Sequence, residues 1–532
     1  MRTVFFNGRV YTGGWPLASA FAVDGDEFIF AGGDAEALAL ARPEDGRVDL
    51  GGRFVCAGFN DSHMHLLSYG LALRRAKLNE HTGSLKDLVD YFRGFAANGP
   101  NERGWLVGRG WNQDLFSDTR RMPNRFDLDE VSREYPVAAV RCCGHCAVVN
   151  SKAIELLGLA ADTKVPGNGV IGAENGEPDG RLYEEAIGLI WAGMPQVGKE
   201  DVKDMIRAAC RRYSACGVTS CQSDDYATPW RMVNEAYREL IAAGELTVRV
   251  NEQCNFGDAG SLMEFIGAGN APGTGDNMFR VGPLKMVADG SLGSRTAFMS
   301  RPYADDPSTR GVAVYSQETL DEVIGCAHER GMNVAIHAIG DACLDRVLNA
   351  VEKAMAKHPR ADCRHGIVHC QITRRDQLER MARLNMHIYA QTVFLDYDSR
   401  IVRARVGDLA DTSYSWKTLM NMGLTVSNGT DCPVELPDAL RGIQCAVTRA
   451  PLSGGEPYLP GEAFTVREAL DSYTSAGARA SFEENRKGRI APGMLADFVV
   501  LGGNPFDTPA EELSRIPVRE TWLGGRRVYA AD

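Results

Sequence analysis

The chain is expected to be an α/β protein built on a (β/α)8 TIM-like barrel, and three features of its sequence predict this. Apolar, β-rich runs alternate with amphipathic stretches over most of the 532 residues, the pattern of βα units around a parallel sheet. Eight such runs can be marked, the number a closed barrel requires. Five of them end in side chains able to hold a metal ion: His63 and His65 after the first, then Lys285, His337, His369 and Asp431. Catalytic groups of such barrels converge on one mouth from the C-terminal ends of several strands, so this repeated placement is hard to produce by packing alone.

Taken from the N-terminus, residues 1 to about 53 read as short strands broken by turns: Val4-Phe5-Phe6, then Arg9-Val10-Tyr11, then Glu27 to Ala31 before Gly32-Gly33. The C-terminus has the same character. There Ala496 to Leu501 stops at Gly502-Gly503, and Glu520 to Leu523 turns at Gly524-Gly525 into Arg527-Val528-Tyr529. Strands from the two ends, 1–53 and 485–532, are expected to form one β-sandwich module, leaving 54–484 for the barrel. The barrel strands fall near residues 54 to 62, 217 to 222, 246 to 252, 280 to 287, 332 to 338, 365 to 370, 386 to 391 and 424 to 430. Between them, Gln317 to Arg330 carries Leu320, Val323, Ile324 and Ala327 on one face, and Asp341 to Lys357 carries Leu344, Val347, Leu348, Val351 and Met355. Both have the spacing of outer-ring helices. The interval from His65 to Val218 is too long for one crossover, so residues from about 75 to 200 are expected to be an insertion after the first barrel strand, over the barrel mouth.

Composition narrows the function. A formal charge of -12 disfavours nucleic acid or an anionic membrane as the main partner. No apolar run reaches the ~18 residues of a membrane span, and the N-terminus turns polar too soon for a signal peptide. Fourteen scattered cysteines suit a reducing compartment, so a cytoplasmic protein is expected, with its oligomeric state left open, a homo-oligomer included. Gly290-Ser-Leu-Gly293 is not a phosphate-binding pattern, which argues against a nucleotide.

Within the first barrel run, His63 and His65 are two residues apart. Strand side chains alternate faces, so both point the same way and can share one ion. Imidazole and carboxylate ligands of this kind suit zinc, with other divalent transition metals compatible. The remaining histidines, His81, His328, His358, His365 and His387, read as surface or packed residues. Cys142-Cys143-Gly144-His145-Cys146 contains a CxxC but lacks a second ligand pair nearby.

The Asn60-Asp-Ser-His63-Met-His65 segment, with the later His337, His369 and Asp431, resembles the amidohydrolase superfamily of metal-dependent hydrolases. Lys285-Met-Val-Ala-Asp289-Gly-Ser-Leu-Gly-Ser-Arg295, with Gly110-Trp111-Asn-Gln and Gly144-His145-Cys-Ala-Val-Val-Asn150-Ser, is similar to the branch containing N-substituted formamide deformylases. Gly488 to Asp497 is similar to that superfamily's return into its sandwich. The resemblance implies that His63, His65 and Asp431 hold one metal and His337 and His369 a second, bridged by Lys285 carboxylated with carbon dioxide. It implies one or two divalent ions per chain, zinc first. A bound ion lowers the pKa of its water towards ~7 and polarises the scissile carbonyl. Asp431 then takes the proton from the attacking water and returns it to the leaving amine.

The expected activity is hydrolysis of an amide-type C–N bond in a small organic substrate, an N-substituted formamide or related amide. His145, Trp111 and Arg295 are the candidate substrate contacts; packing is the plainer role for Trp111, and pairing with an acid for Arg295. Two other readings remain: a deaminase or cyclic-amide hydrolase with the same metal site, and a metal-binding regulatory protein that has lost turnover.

Overall fold

The computed structural model describes residues 2–165 and 167–531. Its centre is one sheet of eight parallel strands, numbered here in chain order. They are β1 (Phe59–Met64), β2 (Val218–Ser223), β3 (Arg249–Asn255), β4 (Phe279–Val287), β5 (Val334–Ala338), β6 (Gly366–His369), β7 (His387–Ala390) and β8 (Val426–Asn428). Each strand pairs with the next in sequence from β1 to β8. Beyond the last ladder, the Asp431 amide donates to the His63 carbonyl at 2.8 Å and the His65 amide to the Cys432 carbonyl at 2.8 Å. These two bonds bring the outer strands together, so the sheet is a nearly closed TIM-like barrel. Residues on both faces are buried: every residue of β1, β2 and β6 is inaccessible, as helices covering a parallel sheet require.

The outer helices follow the sequence period. Gln317–Glu329 buries Leu320, Val323, Ile324 and Ala327, and its start is fixed by the Ser316 side chain accepting from the Thr319 amide. Asp341–Lys357 buries Leu344, Val347, Leu348 and Val351. Each such aliphatic side chain contributes on the order of 1.5–3 kcal/mol when fully removed from water.

The run nominated at 54 to 62 is two strands with different partners, which corrects the expectation of one. Phe54–Ala57 pairs antiparallel with Phe498–Leu501, and β1 begins only at Phe59. The switch is at Gly58, where a Cβ would lie 2.2 Å from Thr219 Oγ1, so only glycine lets the chain pass between the two sheets.

The termini build two further sheets. One has four strands, Arg2–Phe6, Ala20–Asp24, Glu27–Gly32 and Gly46–Asp49; the other has five, Arg9–Val10, Phe54–Ala57, Phe498–Leu501, Val518–Leu523 and Arg526–Ala530. Their shared apolar cluster includes Phe5, Phe21, Phe28, Val55 and Phe498. Phe5 stacks on Phe21 at 4.7 Å and Phe498 on Trp522 at 5.4 Å. A buried bidentate pair, Arg249 to Asp497 at 2.6 and 2.8 Å, ties β3 to the C-terminal segment.

The chain falls into two compact units, Met1–Leu66 with Ala209–Asp532, and Leu67–Ala208. The second unit holds a six-stranded sheet with Ala76–Lys77 at one edge and Val170–Glu174 at the other. Alternate residues of its strands serve two cores, Leu106, Val137 and Val148 on one face and Val107, Ala138 and Val149 on the other. Among the described residues no helix is long and apolar enough to cross a membrane.

Candidate metal centre

The polar side chains predicted at strand ends meet at one place, and all of them belong to the first unit. His63 sits in β1 and His65 one residue past it; Lys285 is in β4, His337 in β5, His369 closes β6, and Asp431 follows β8. The register explains the meeting, since Val287 pairs with His337 and Ala338 with His369. His63 Nε2 lies 3.3 Å and His65 Nε2 3.1 Å from the same oxygen, Asp431 Oδ1. These three offer ligand atoms within 4.8 Å of one another. Lys285 Nζ is 3.4 Å from His63 Nε2, and His337 Nδ1 is 2.9 Å from His369 Nε2.

Outer partners fix how the rings present themselves. The Gln253 amide nitrogen donates to the Ser62 carbonyl at 3.1 Å, which turns Gln253 Oε1 towards His63 Nδ1 at 2.7 Å. Gln391 does the same for His369: its nitrogen donates to the Tyr389 carbonyl at 3.0 Å, and its oxygen receives His369 Nδ1–H at 2.7 Å. His65 Nδ1 faces the Asp224 carbonyl at 3.3 Å. His337 Nε2 faces the Gly290 carbonyl at 3.2 Å and Asp289 Oδ1 at 3.3 Å. Each outward nitrogen therefore carries the proton, the arrangement in which metal-bound histidines are held.

The consequence is sharpest at His337 and His369. In their neutral forms both inward nitrogens are acceptors, and two lone pairs face each other at 2.9 Å. Only a cation between them resolves this, either an extra proton or a metal ion. Burial first, and then His337, hold His369 well below the ordinary imidazole range. Burial and then Lys285 hold His63 down to about 4. Asp431 is buried too, which alone would raise its pKa, but the imidazoles of His63 and His65 hold it well below the carboxylate range. His65 moves the other way: burial opposes its charge, yet Asp431 outweighs this and raises it. An ionised carboxylate among buried, mostly neutral imidazoles whose lone pairs converge is a donor set that fits a divalent ion such as zinc.

Several positioning residues were not singled out in the sequence. Asp224, just past β2, accepts from Lys285 Nζ at 3.0 Å and from Asn255 Nδ2 at 3.2 Å. Asp289 does not pair with Lys285; it accepts the amides of Phe298, Ile339 and Gly340 and so anchors the loops after β4 and β5. Asp61 accepts from the Thr430 amide at 2.9 Å and from the Thr430 hydroxyl, locking the segment that carries Asp431. Burial pushes the Asp61 carboxyl up to about 7. Asp431 (φ 54) and His369 (φ 75) lie in the left-handed region, strain that persists where surrounding bonds over-determine it.

The predicted substrate contacts fare differently. Trp111 is corrected: it is fully buried in the core of the second unit, and its Nε1 donates to the Ala139 carbonyl at 3.0 Å, a packing role. Arg295 is part-exposed, and its guanidinium is engaged by Asp305 through two bonds of 3.1 and 3.0 Å. His145 is exposed on the second unit and pairs with Glu184 at 2.8 Å. One other ligand-like group occurs among the described residues, His328, Cys363 and His365, near the N-terminal end of β6.

An amidohydrolase family model matches residues 47–529. The amidohydrolase YtcJ of Bacillus subtilis (strain 168) is 34% identical over 99% of this chain and 99% of its own. The N-substituted formamide deformylase of Arthrobacter pascens is 26% identical over 96% of this chain and 94% of its own. The crystal structure of a metal-dependent hydrolase from Pyrococcus furiosus superposes with a TM-score of 0.79 at 29% identity, covering 95% of this chain and 100% of that one. With a match that spans the whole barrel and most of the chain, the protein belongs to the amidohydrolase family of metal-dependent hydrolases.

Proposed function

We propose that the protein hydrolyses an amide-type C–N bond of a small organic substrate, an N-substituted formamide or related amide. The observation that carries this reading is the pairing of converging imidazole lone pairs with one ionised carboxylate, Asp431, at the barrel mouth. His63, His65 and Asp431 would hold one ion, His337 and His369 a second, and Lys285, as a carbamate, would lie between them. Zinc fits these donors best. When bound, such an ion supplies Lewis acidity and brings the pKa of a coordinated water to about 7.

The chain's own residues supply the remainder. Asp431 Oδ1 is ionised, so it can accept a proton from the attacking water. The same oxygen can return that proton to the amine nitrogen, a poor leaving group until protonated. Gln253 and Gln391 hold the rings of His63 and His369 so that the inward nitrogens stay available. The formamide clause is supported by the relative from Arthrobacter pascens, which bears that activity in its name.

The test is turnover of a panel of N-alkylformamides by the wild type and by Asp431→Asn. Formate release that falls by roughly 10²- to 10⁴-fold in the variant, with an unchanged thermal melt, is the expected result. Undiminished turnover would remove Asp431 from proton transfer. Ammonia release instead of formate would favour a deaminase, and no turnover of any amide by the metal-loaded protein a regulatory role.

A further inference from the structure

Just past the C-terminal ends of β4 to β8 lies a cavity of about 220 Å³, formed wholly by the first unit. It shares a wall with the metal centre: Phe394 lines it, and the Phe394 ring stacks on His369 at 5.9 Å and 17°. Most of the lining is apolar or backbone; Ser291 and Tyr397 add hydroxyls, and three further side chains bring acceptors. Gln371, 1 % exposed, donates its amide nitrogen to Asp398 Oδ2 at 3.3 Å, and this fixes its orientation. Its carbonyl oxygen, Oε1, is then buried without any hydrogen-bond partner. Asp398 takes a second bond from the Tyr414 hydroxyl at 2.9 Å, on that same Oδ2 oxygen. Glu435 lines the cavity as the third.

No lysine or arginine is among the lining residues. Arg441, whose charge acts on Glu435, lies outside the lining and is engaged by Asp396 at 3.5 Å. Burial raises both carboxyls, Asp398 up to about 6, and for Glu435 it outweighs the opposing charge of Arg441. Gln371, Asp398 and Glu435 thus offer acceptors, two of them acidic, and a buried acceptor without a donor is an energetic deficit that a ligand can remove.

We propose that this cavity binds an ammonium group on the amide substrate, with Gln371 Oε1, Asp398 and Glu435 as its acceptors, so that the preferred substrates are N-acylated diamines. This rests on the amide-hydrolysis reading, and it names the substrate class for the same site. An ammonium brings three donors and a positive charge, whereas a methyl end leaves the acceptors unmet and a carboxylate adds like charge. The aromatic side chains of Phe394 and Tyr397 in the lining are compatible with such a cation.

The test has two arms on the full-length, zinc-loaded protein. In the first, calorimetry at neutral pH compares hexylammonium with hexan-1-ol. Charge-assisted hydrogen bonds predict at least about tenfold tighter binding of the ammonium, and a fall of that ratio by about fivefold or more in Asp398→Asn and in Glu435→Gln. In the second, kcat/KM is compared for N-(5-aminopentyl)formamide and N-hexylformamide, and the cationic substrate is expected to lead by a similar factor. Equal affinity for the two binding probes, or a ratio untouched in both variants, overturns the assignment. Should Asp398→Asn fail to fold, the half-buried Glu435→Gln decides. If neither formamide is cleaved while ammonium selectivity stands, the hydrolytic reading fails and the cavity assignment survives. If both are cleaved equally and no selectivity is found, the reverse holds.

Discussion

Two histidine clusters lie near opposite ends of β6, four residues apart in sequence, and they teach what distinguishes a metal centre from a packed polar core. At the mouth, His369 meets His337; just before the strand starts, His365 meets His328 at 2.8 Å. His328, His365 and His369 are buried and His337 is part-buried, and both pairs sit among further ligand-type residues. The difference is in the count of donors. His328 Nε2–H donates to the His358 carbonyl at 2.6 Å, so His328 Nδ1 is an acceptor and His365 Nε2–H serves it. Donor and acceptor alternate, Arg360 adds a guanidinium 3.5 Å from His328 Nδ1, and the Cys363 thiol donates to the Arg360 carbonyl at 3.2 Å. His365 Nδ1 is left buried without a partner, but no two lone pairs face each other there. At the mouth, glutamine and carbonyl partners take every outward proton and leave lone pairs facing each other. Burying histidines is therefore not the signal; the direction in which their outer partners leave the lone pairs is.

This contrast can be broken in order of expected effect. Gln391→Leu removes the acceptor that orients His369, and about 10- to 100-fold weaker metal affinity is expected from competition with a chelating dye. Affinity equal to wild type would show that the carboxamide does not hold the ring for metal. Gly429→Ala is next, through packing instead of chemistry. Its Cβ would stand 2.6 Å from the His63 amide nitrogen and 2.9 Å from Asp61 Oδ1, so β8 must move away from β1. A loss of roughly 1–3 kcal/mol in denaturant unfolding is expected.

His365→Gln probes the other cluster. Some 1–2 kcal/mol of stability should go with the broken bond to His328, but metal content should not change. A metal loss in this variant would erase the distinction between the two ends. The last effect is confined to acid and is read as a slope. Burial holds His365 and His387 down to about 3, whereas the unfolded chain takes up these protons near 6.5. The unfolded state is thus the first to be protonated as pH falls, and stability present above about 6.5 is lost progressively down to about 3. Each group contributes a slope of up to about 1.4 kcal/mol per pH unit, and His365→Gln should flatten the acid limb by one such share.

The barrel and the polar cluster at its mouth were legible because both rest on period and position. Alternating β and amphipathic runs marked the strands, and His63, His65, Lys285, His337, His369 and Asp431 stood out as polar endings of apolar runs. The break at Gly58 was not legible, since Phe54 to Ser62 is continuously buried and only the partner strand, Phe498–Leu501, tells where one sheet ends. Gln253, Gln391 and Asp224 were missed for a related reason. Each is a polar residue inside or just after a buried strand, and a lone glutamine has no spacing to read. What could have found them is the oddity of a carboxamide interrupting Val250-Asn-Glu-Gln-Cys or ending Ile388-Tyr-Ala-Gln391. Trp111 misled for the opposite reason, because a motif resemblance carried no information about the core of the second unit or about Ala139, which engages it.

The most direct measurement is metal content per chain by elemental analysis of protein purified without chelator, taken on the wild type, His337→Ala and His365→Gln. The account predicts about one to two equivalents of a zinc-type ion in the wild type and in His365→Gln, and a clear loss in His337→Ala. Essentially no metal in the wild type after zinc and bicarbonate are supplied, or equal loss in both variants, would contradict it.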